Sequence, residues 1–87
     1  MKISLEQWQT LISVVDAGSF AKAAETLDKS QSAISYSLSK MEEKLGVALF
    51  KMDGRKAVLT TAGQALYNQA KQLIETARLV FLPFWIA

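Results

Sequence analysis

The 87-residue sequence contains no cysteine and no histidine. The chain therefore lacks thiol nucleophiles, imidazole bases and the usual ligands of zinc fingers and haem. Its adjacent acids, Glu42 and Glu43, point in different directions on a helix. We expect them only to face water on the protein surface. We therefore expect no enzyme activity, no cofactor and no metal site.

Long apolar runs are also missing. The longest apolar region, Leu79 to Ala87, is too short to span a membrane and contains the sole proline, Pro83. The first residues, Met1 to Ser4, lack the apolar core of a secretory signal. We expect a cytoplasmic protein with no membrane partner.

The composition is that of one small folded unit. Hydrophobic residues make up 51% and charged residues 21% of the chain, which excludes a disordered tail as a description of the whole. The net charge of +2 permits a nucleic-acid partner without requiring one. Whether the chain has such a partner must be judged from where the charged residues lie.

Capping residues and apolar spacing predict three helices in the first half of the chain. Ser4 with Gln7 is a capping box, and Ser19 and Ser30 are further candidate caps. Glycines 18 and 46 follow the first and third helices as left-handed stops. The predicted inward faces are Leu5, Trp8, Leu11, Ile12 and Val15; Phe20, Ala23, Ala24 and Leu27; and Ile34, Leu38, Met41 and Leu45.

A hairpin and a long helix follow. Two short apolar runs flank Asp53-Gly54, which predicts a tight hairpin. Thr60 or Thr61 then caps a fourth helix, and Pro83 is expected to interrupt it. The predicted units are a helical and hairpin domain over 1–60, a helix over 61–82 and an apolar tail over 83–87.

The second and third helices are separated by the short turn of a helix-turn-helix. That spacing alone fits a plain packing module equally well. However, residues 30–39 carry no charge on a helix that must face water, and serine is a mediocre helix former. Either the serines are merely tolerated, or their short polar groups approach DNA bases. The candidate DNA contacts are the uncharged Ser30, Gln31, Ser32, Ser35, Tyr36 and Ser39, and the surrounding cations Lys22, Lys29, Lys40, Arg55 and Lys56.

The fourth helix has a wider apolar face than one small core can absorb. The excess suggests pairing with the same helix of a second chain, but the helix could equally fold back on its own domain. The candidate dimer contacts are Leu66, Ala70, Leu73, Ile74, Ala77, Val80 and Phe81.

The ordered set of fragments resembles the N-terminal winged helix-turn-helix domain of LysR-type transcriptional regulators. The resemblance covers roughly residues 3–78. It rests on Gly18-Ser19-Phe20, Ala23-Ala24, Ser30-Gln31-Ser32-Ala33-Ile34-Ser35, Leu45-Gly46-Val47, Leu49-Phe50 and Leu59-Thr60-Thr61-Ala62-Gly63. It implies a mainly α fold, with a three-helix core, a short β-hairpin wing and a long linker helix that pairs antiparallel in a homodimer.

By the same resemblance, Gln31, Ser32, Ser35 and Tyr36 meet double-stranded DNA, while Arg55 or Lys56 belongs to the wing. Many family members have proline in place of Ser32 and arginine in place of Tyr36. Family members also continue into an effector-binding α/β domain, which these 87 residues do not include. We therefore expect no small-molecule ligand in this fragment. A protein-interaction module that docks through the apolar tail is the competing hypothesis.

Overall fold

Three short helices and a hairpin precede one long helix. The computed structural model describes residues 2–54 and 56–86, with side chains up to residue 80. The elements are α1 (Leu5–Ala17), α2 (Phe20–Leu27), α3 (Gln31–Leu45), β1 (Phe50–Asp53), β2 (Lys56–Leu59) and α4 (Thr61–Ile86). This order confirms the predicted mainly α fold with a two-stranded antiparallel wing.

The predicted caps place the helix boundaries. The side-chain oxygens of Ser4, Ser19 and Ser30 each accept a hydrogen bond from the backbone N–H three residues later, at 3.0–3.1 Å. Gly18 and Gly46 end α1 and α3 with φ of +81° and +71°. Because an L side chain is strained in this left-handed conformation, glycine is the residue suited to both stops.

The core forms where α1, α2 and α3 meet. Its buried members are Leu11, Val14, Ala23, Ala24, Ile34, Leu38, Met41 and Leu49. The predicted stripe of α1 is wrong at one end, because Leu5 is exposed and Val14 is buried instead. At about 100° per residue, the separation between these two residues amounts to half a turn, so they lie on opposite sides of the helix.

The hairpin turns at Gly54. Asp53 pairs with Lys56, so of the two predicted turn residues Asp53 belongs to the strand pairing and only Gly54 lies in the loop. Gly54 has a φ of +66°, the left-handed conformation that tight hairpin turns require at their first loop position. The rings of Phe20 and Phe50 pack at 5.6 Å between centroids, which fixes the first strand against the start of α2.

Leu49 is the junction between α3, the wing and α4. Its side chain is fully buried, and its N–H donates to the Glu42 carboxylate at 2.7 Å. Its carbonyl oxygen accepts from the backbone N–H of Thr60 at 3.0 Å. Glu42 therefore holds the chain as it leaves α3, and the prediction that this acid only solvates the surface is wrong.

The long helix begins as predicted but ends later. The Thr60 hydroxyl accepts from the N–H of Gly63 at 2.9 Å and caps the helix. The helix then continues through Pro83 to Ile86, so the predicted interruption is wrong. Proline removes one backbone hydrogen bond, but this loss lies in the last turns, where the rest of the helix already fixes the backbone.

Replacement of Gly63 by alanine is expected to destabilise the fold. The added Cβ would overlap the backbone carbonyl oxygen of Leu49 and lie 3.0 Å from Leu59 Cδ2. Because the backbone of Leu49 cannot move away from the added methyl group as a flexible side chain could, we expect a loss of about 1–3 kcal/mol in the free energy of unfolding, measured by urea denaturation. The matched control is Gln69→Ala on the exposed side of the same helix, expected within about 0.5 kcal/mol of the native chain. Equal stability of the two variants would contradict this packing.

Candidate nucleic-acid interface

The third helix divides into a buried apolar face and an exposed uncharged face. Ile34 and Leu38 are buried against the core, as predicted. The opposite side is open to solvent and carries Gln31, Ser32, Ser35, Tyr36 and Ser39. The structure therefore brings the predicted reading residues together on one surface. Their short donors and acceptors are groups that can meet the edges of bases in a major groove.

The turn before α3 sets its direction. Asp28 ends α2 with φ of +55° and the following N–H, of Lys29, donates to the carbonyl of Ala24 at 2.9 Å. Ser30 Oγ accepts from the Ala33 N–H and lies 3.4 Å from Ser32 Oγ. The Ser30 hydroxyl therefore serves mainly as a cap and fixes the amino terminus of the exposed face.

Lys29 has a partner that sequence reasoning missed. Its Nζ pairs with the carboxylate of Glu6 on α1, 23 residues away in the chain. This hydrogen bond and the charge of Lys29 hold the pKa of Glu6 below its ordinary value. Lys29 therefore lies in the turn between α2 and α3 and is held in an ion pair with Glu6 of α1. The only signal in the sequence was an acid in the first turn of α1, a common helix-start preference.

Tyr36 and Lys40 form a stacked pair on the same surface. Tyr36 is 66% exposed, and Lys40 Nζ lies 5.5 Å from the centre of its ring. Lys40 Nζ also lies 3.2 Å from Glu43 Oε2, and this hydrogen bond raises the pKa of Lys40. The lysine thus stays charged beside the ring, where a cation–π contact is favourable.

The wing meets the start of α3 across a groove. Gln31 and Lys56 both line this groove of about 850 Å³, together with Phe20 and Met52. Lys22 is exposed on α2, as predicted. The predicted contact Arg55 lies outside the described residues. The candidate interface therefore combines α3 with cations on α2 and the wing.

Within residues 61–80 of the long helix, the fully buried positions lie in the first ten residues. Ala70 is 2% exposed within the single chain, so its assignment to a dimer interface is corrected, and Leu66 packs on the core. Further along, Ile74 and Ala77 are half-buried. The side chain of Phe81 lies outside the described residues. Among residues 61–80 of this helix, the large exposed apolar residues are Leu73 at 45%, Leu79 at 62% and Val80 at 55%, and Leu79 was not predicted.

The described parts of the chain contain neither a membrane-spanning helix nor a cluster of metal-ligating side chains. Within residues 2–54 and 56–86 no helix has the length and apolar character needed to cross a membrane. The same residues contain no group of three or more acids that could hold a metal ion. The exposed face of α3 with its surrounding cations is the feature that remains to be explained.

Comparison with known sequences identifies relatives of this arrangement. Residues 5–64 match the family model of the bacterial regulatory helix-turn-helix proteins of the lysR family. A probable RuBisCO transcriptional regulator of Synechocystis sp. is 41% identical over 81 residues, which are 88% of this chain and 24% of the relative. The HTH-type transcriptional activator AllS of Salmonella paratyphi A is 48% identical over 66 residues, 76% of this chain and 21% of the relative. The chain thus spans about a quarter or less of these relatives.

Solved structures of DNA-binding domains have the same fold as this chain. The BenM DBD in complex with catB site 1 DNA superposes with a TM-score of 0.85 at 28% identity, over 90% of this chain and 84% of that one. The CbnR DBD in complex with DNA gives a TM-score of 0.80 at 35% identity, over 86% of each chain. With the same fold and a sequence match over most of its length, this chain belongs to the lysR family of bacterial regulatory helix-turn-helix proteins.

Proposed function

We propose that this chain is the DNA-binding domain of a LysR-type transcriptional regulator, a binding module rather than an enzyme, which works in the cytoplasm. It binds an inverted-repeat operator in double-stranded DNA as a homodimer. The observation that carries this proposal is the exposed uncharged face of α3, set on a buried apolar face. The two solved relatives bound to DNA support it.

The exposed face of α3 supplies base contacts in the major groove. Gln31 can form two hydrogen bonds to an adenine, and Ser32 and Ser35 can bond to several bases. Tyr36 can contact a thymine methyl group through its ring. Because these groups carry no charge, they add sequence preference without the general attraction that a cation has for every phosphate.

The cations act on the phosphates around that groove. Lys22 and Lys56 are exposed on the two elements that flank α3, and Arg55 is proposed to reach the backbone or minor groove from the wing tip. Lys40 stays beside Tyr36. These contacts position the domain and make its affinity depend on salt concentration.

A second copy covers the outer half of α4. Burial of a large aliphatic side chain contributes about 1.5–3 kcal/mol, so two copies of Leu73, Leu79 and Val80 form a substantial contact. Half-buried Ile74 and Ala77 border it, and Phe81 is a proposed member. A two-fold dimer would present two copies of α3 to successive major grooves about 34–36 Å apart.

Selection of bound duplexes from a random DNA pool, at near-physiological salt, tests this function. We expect enrichment of an inverted repeat, because two identical reading helices related by a two-fold axis meet identical half-sites. Retention of DNA without a motif would show binding to phosphates alone. No retention would contradict the proposal and favour a protein-interaction module.

Glu6 restrains the contribution of Lys29 to DNA binding. In the native chain Lys29 must leave the Glu6 carboxylate before it can bind a phosphate. In Glu6→Gln the lysine is released, so we expect tighter binding to every duplex and a slope of log affinity against log salt that is steeper by about one. Fluorescence anisotropy over a range of salt concentrations measures both quantities.

Two further variants separate this effect from a general loss of negative charge. Glu25→Gln removes an equivalent exposed acid on α2 and is expected to leave the salt slope unchanged. In a Lys29→Met background, Glu6→Gln should no longer steepen the slope, because the released partner is gone. A steeper slope in that background would show that Glu6 does not act through Lys29.

A further inference from the structure

A polar cluster joins the end of α1 to α4. The Tyr67 hydroxyl donates to Asp16 Oδ1 at 2.5 Å, across 51 residues of sequence. Lys71 Nζ lies 3.9 Å from Asp16 Oδ2 and 5.4 Å from the centre of the Tyr67 ring. Three side chains from two helices therefore meet at one point, which we call the α1–α4 clasp.

The place of Asp16 is unfavourable for α1 alone. It lies in the last turn, which carries no basic residue and where carbonyl groups leave a partial negative charge. A carboxylate there is repelled unless another element compensates it. Among the described residues, the compensation comes from α4, through Tyr67 and Lys71. The hydrogen bond to Asp16 also raises the pKa of Tyr67, so the hydroxyl keeps the proton that it donates.

The clasp lies close to the last point at which α4 packs on the domain. Ala70 is buried, but Leu79 and Val80 are exposed. From Tyr67 to the end of the helix at Ile86 is about 29 Å, at about 1.5 Å per residue. A 10° change in direction at Tyr67 would move that end by about 5 Å.

Exposed ion pairs contribute little to stability, and the clasp is half-exposed. The clasp therefore matters more for the orientation of α4 than for stability. Apolar packing has no preferred direction, and the clasp adds a directional contact to it. The Tyr67 ring is rigid, so a hydrogen bond from its hydroxyl fixes the rotation of α4 about its own axis as well as its tilt.

We propose that Asp16, Tyr67 and Lys71 fix the direction in which α4 leaves the winged-helix domain, and thereby set the half-site separation that the dimer accepts. The second part rests on the proposed function. Tyr67 is a positioning residue here, since it acts through the direction of α4 and is not among the proposed DNA contacts.

The first test measures the direction of α4 without DNA. Because the chain has no cysteine, spin labels can be attached at Glu25→Cys on α2 and Thr76→Cys on α4, both exposed. Labelled protein is diluted with unlabelled protein, so that pulsed electron resonance reports the distance within one chain. We expect one narrow distribution for the native clasp and a broader, shifted distribution for Tyr67→Phe, which loses only the hydroxyl. An unchanged distribution would overturn the proposal.

The control is Glu75→Gln, which removes a 3.8 Å ion pair with Arg78 that lies wholly within α4. It should leave the distance distribution narrow. Thermal unfolding of each variant verifies that the fold is intact. A broad distance distribution in Glu75→Gln would show that the loss of any exposed polar contact on this helix has the same effect. That result would overturn the role of the clasp.

The second test uses the selected operator with its half-sites moved two base pairs apart or together. The native chain is expected to lose about tenfold in affinity, and Tyr67→Phe only about twofold, because simultaneous binding then depends less on one geometry. The preferred half-site sequence should not change. Equal losses in the two proteins would overturn the link to half-site separation. If no variant binds DNA but Tyr67→Phe broadens the distances, the proposed function fails and the fixed direction of α4 stands.

Discussion

The backbone of Leu49 is the constraint on which the arrangement of this domain depends. Its N–H is held by the Glu42 carboxylate of α3, and its carbonyl by the first residue before α4. Gly63 approaches that carbonyl so closely that no side chain fits between them. Helix α3, the wing and helix α4 therefore take their relative positions from one buried residue.

This junction separates two kinds of surface. The core holds α3 by Ile34, Leu38 and Met41, so the uncharged side chains exposed on its opposite side do not take part in core packing. Cations lie around that face, and two of them are already engaged within the chain, Lys29 by Glu6 and Lys40 by Glu43. In the proposed function, base reading and phosphate attraction are carried by different side chains, so sequence preference and overall affinity can change independently.

Local features of this fold follow from the sequence alone. Serine caps and the glycine stops depend on residues within one turn, and the apolar spacing of α3 depends on one helix. The exposed uncharged face of α3 was predictable because it lies opposite the apolar residues of the same helix.

Contacts between distant segments did not follow from the sequence. The pairs Glu6 with Lys29 and Asp16 with Tyr67 join residues 23 and 51 positions apart, and only packing brings them together. Leu5 was misplaced for the same reason, since the neighbours of α1 decide which of its sides is buried. The dimer contacts predicted for α4 included both residues that pack within the single chain and residues that are exposed. Apolar spacing cannot show where a helix leaves its own domain.

In the proposed function, the uncharged face of α3 supplies sequence preference. The most direct measurement is the ratio of affinities for the selected operator and an unrelated duplex, in a variant with Ser32, Ser35 and Tyr36 all replaced by alanine. Alanine preserves the helix. We predict that the ratio falls by about tenfold or more while affinity for the unrelated duplex is unchanged, whereas Lys56→Ala weakens both equally. An unchanged ratio in the alanine variant would contradict the account.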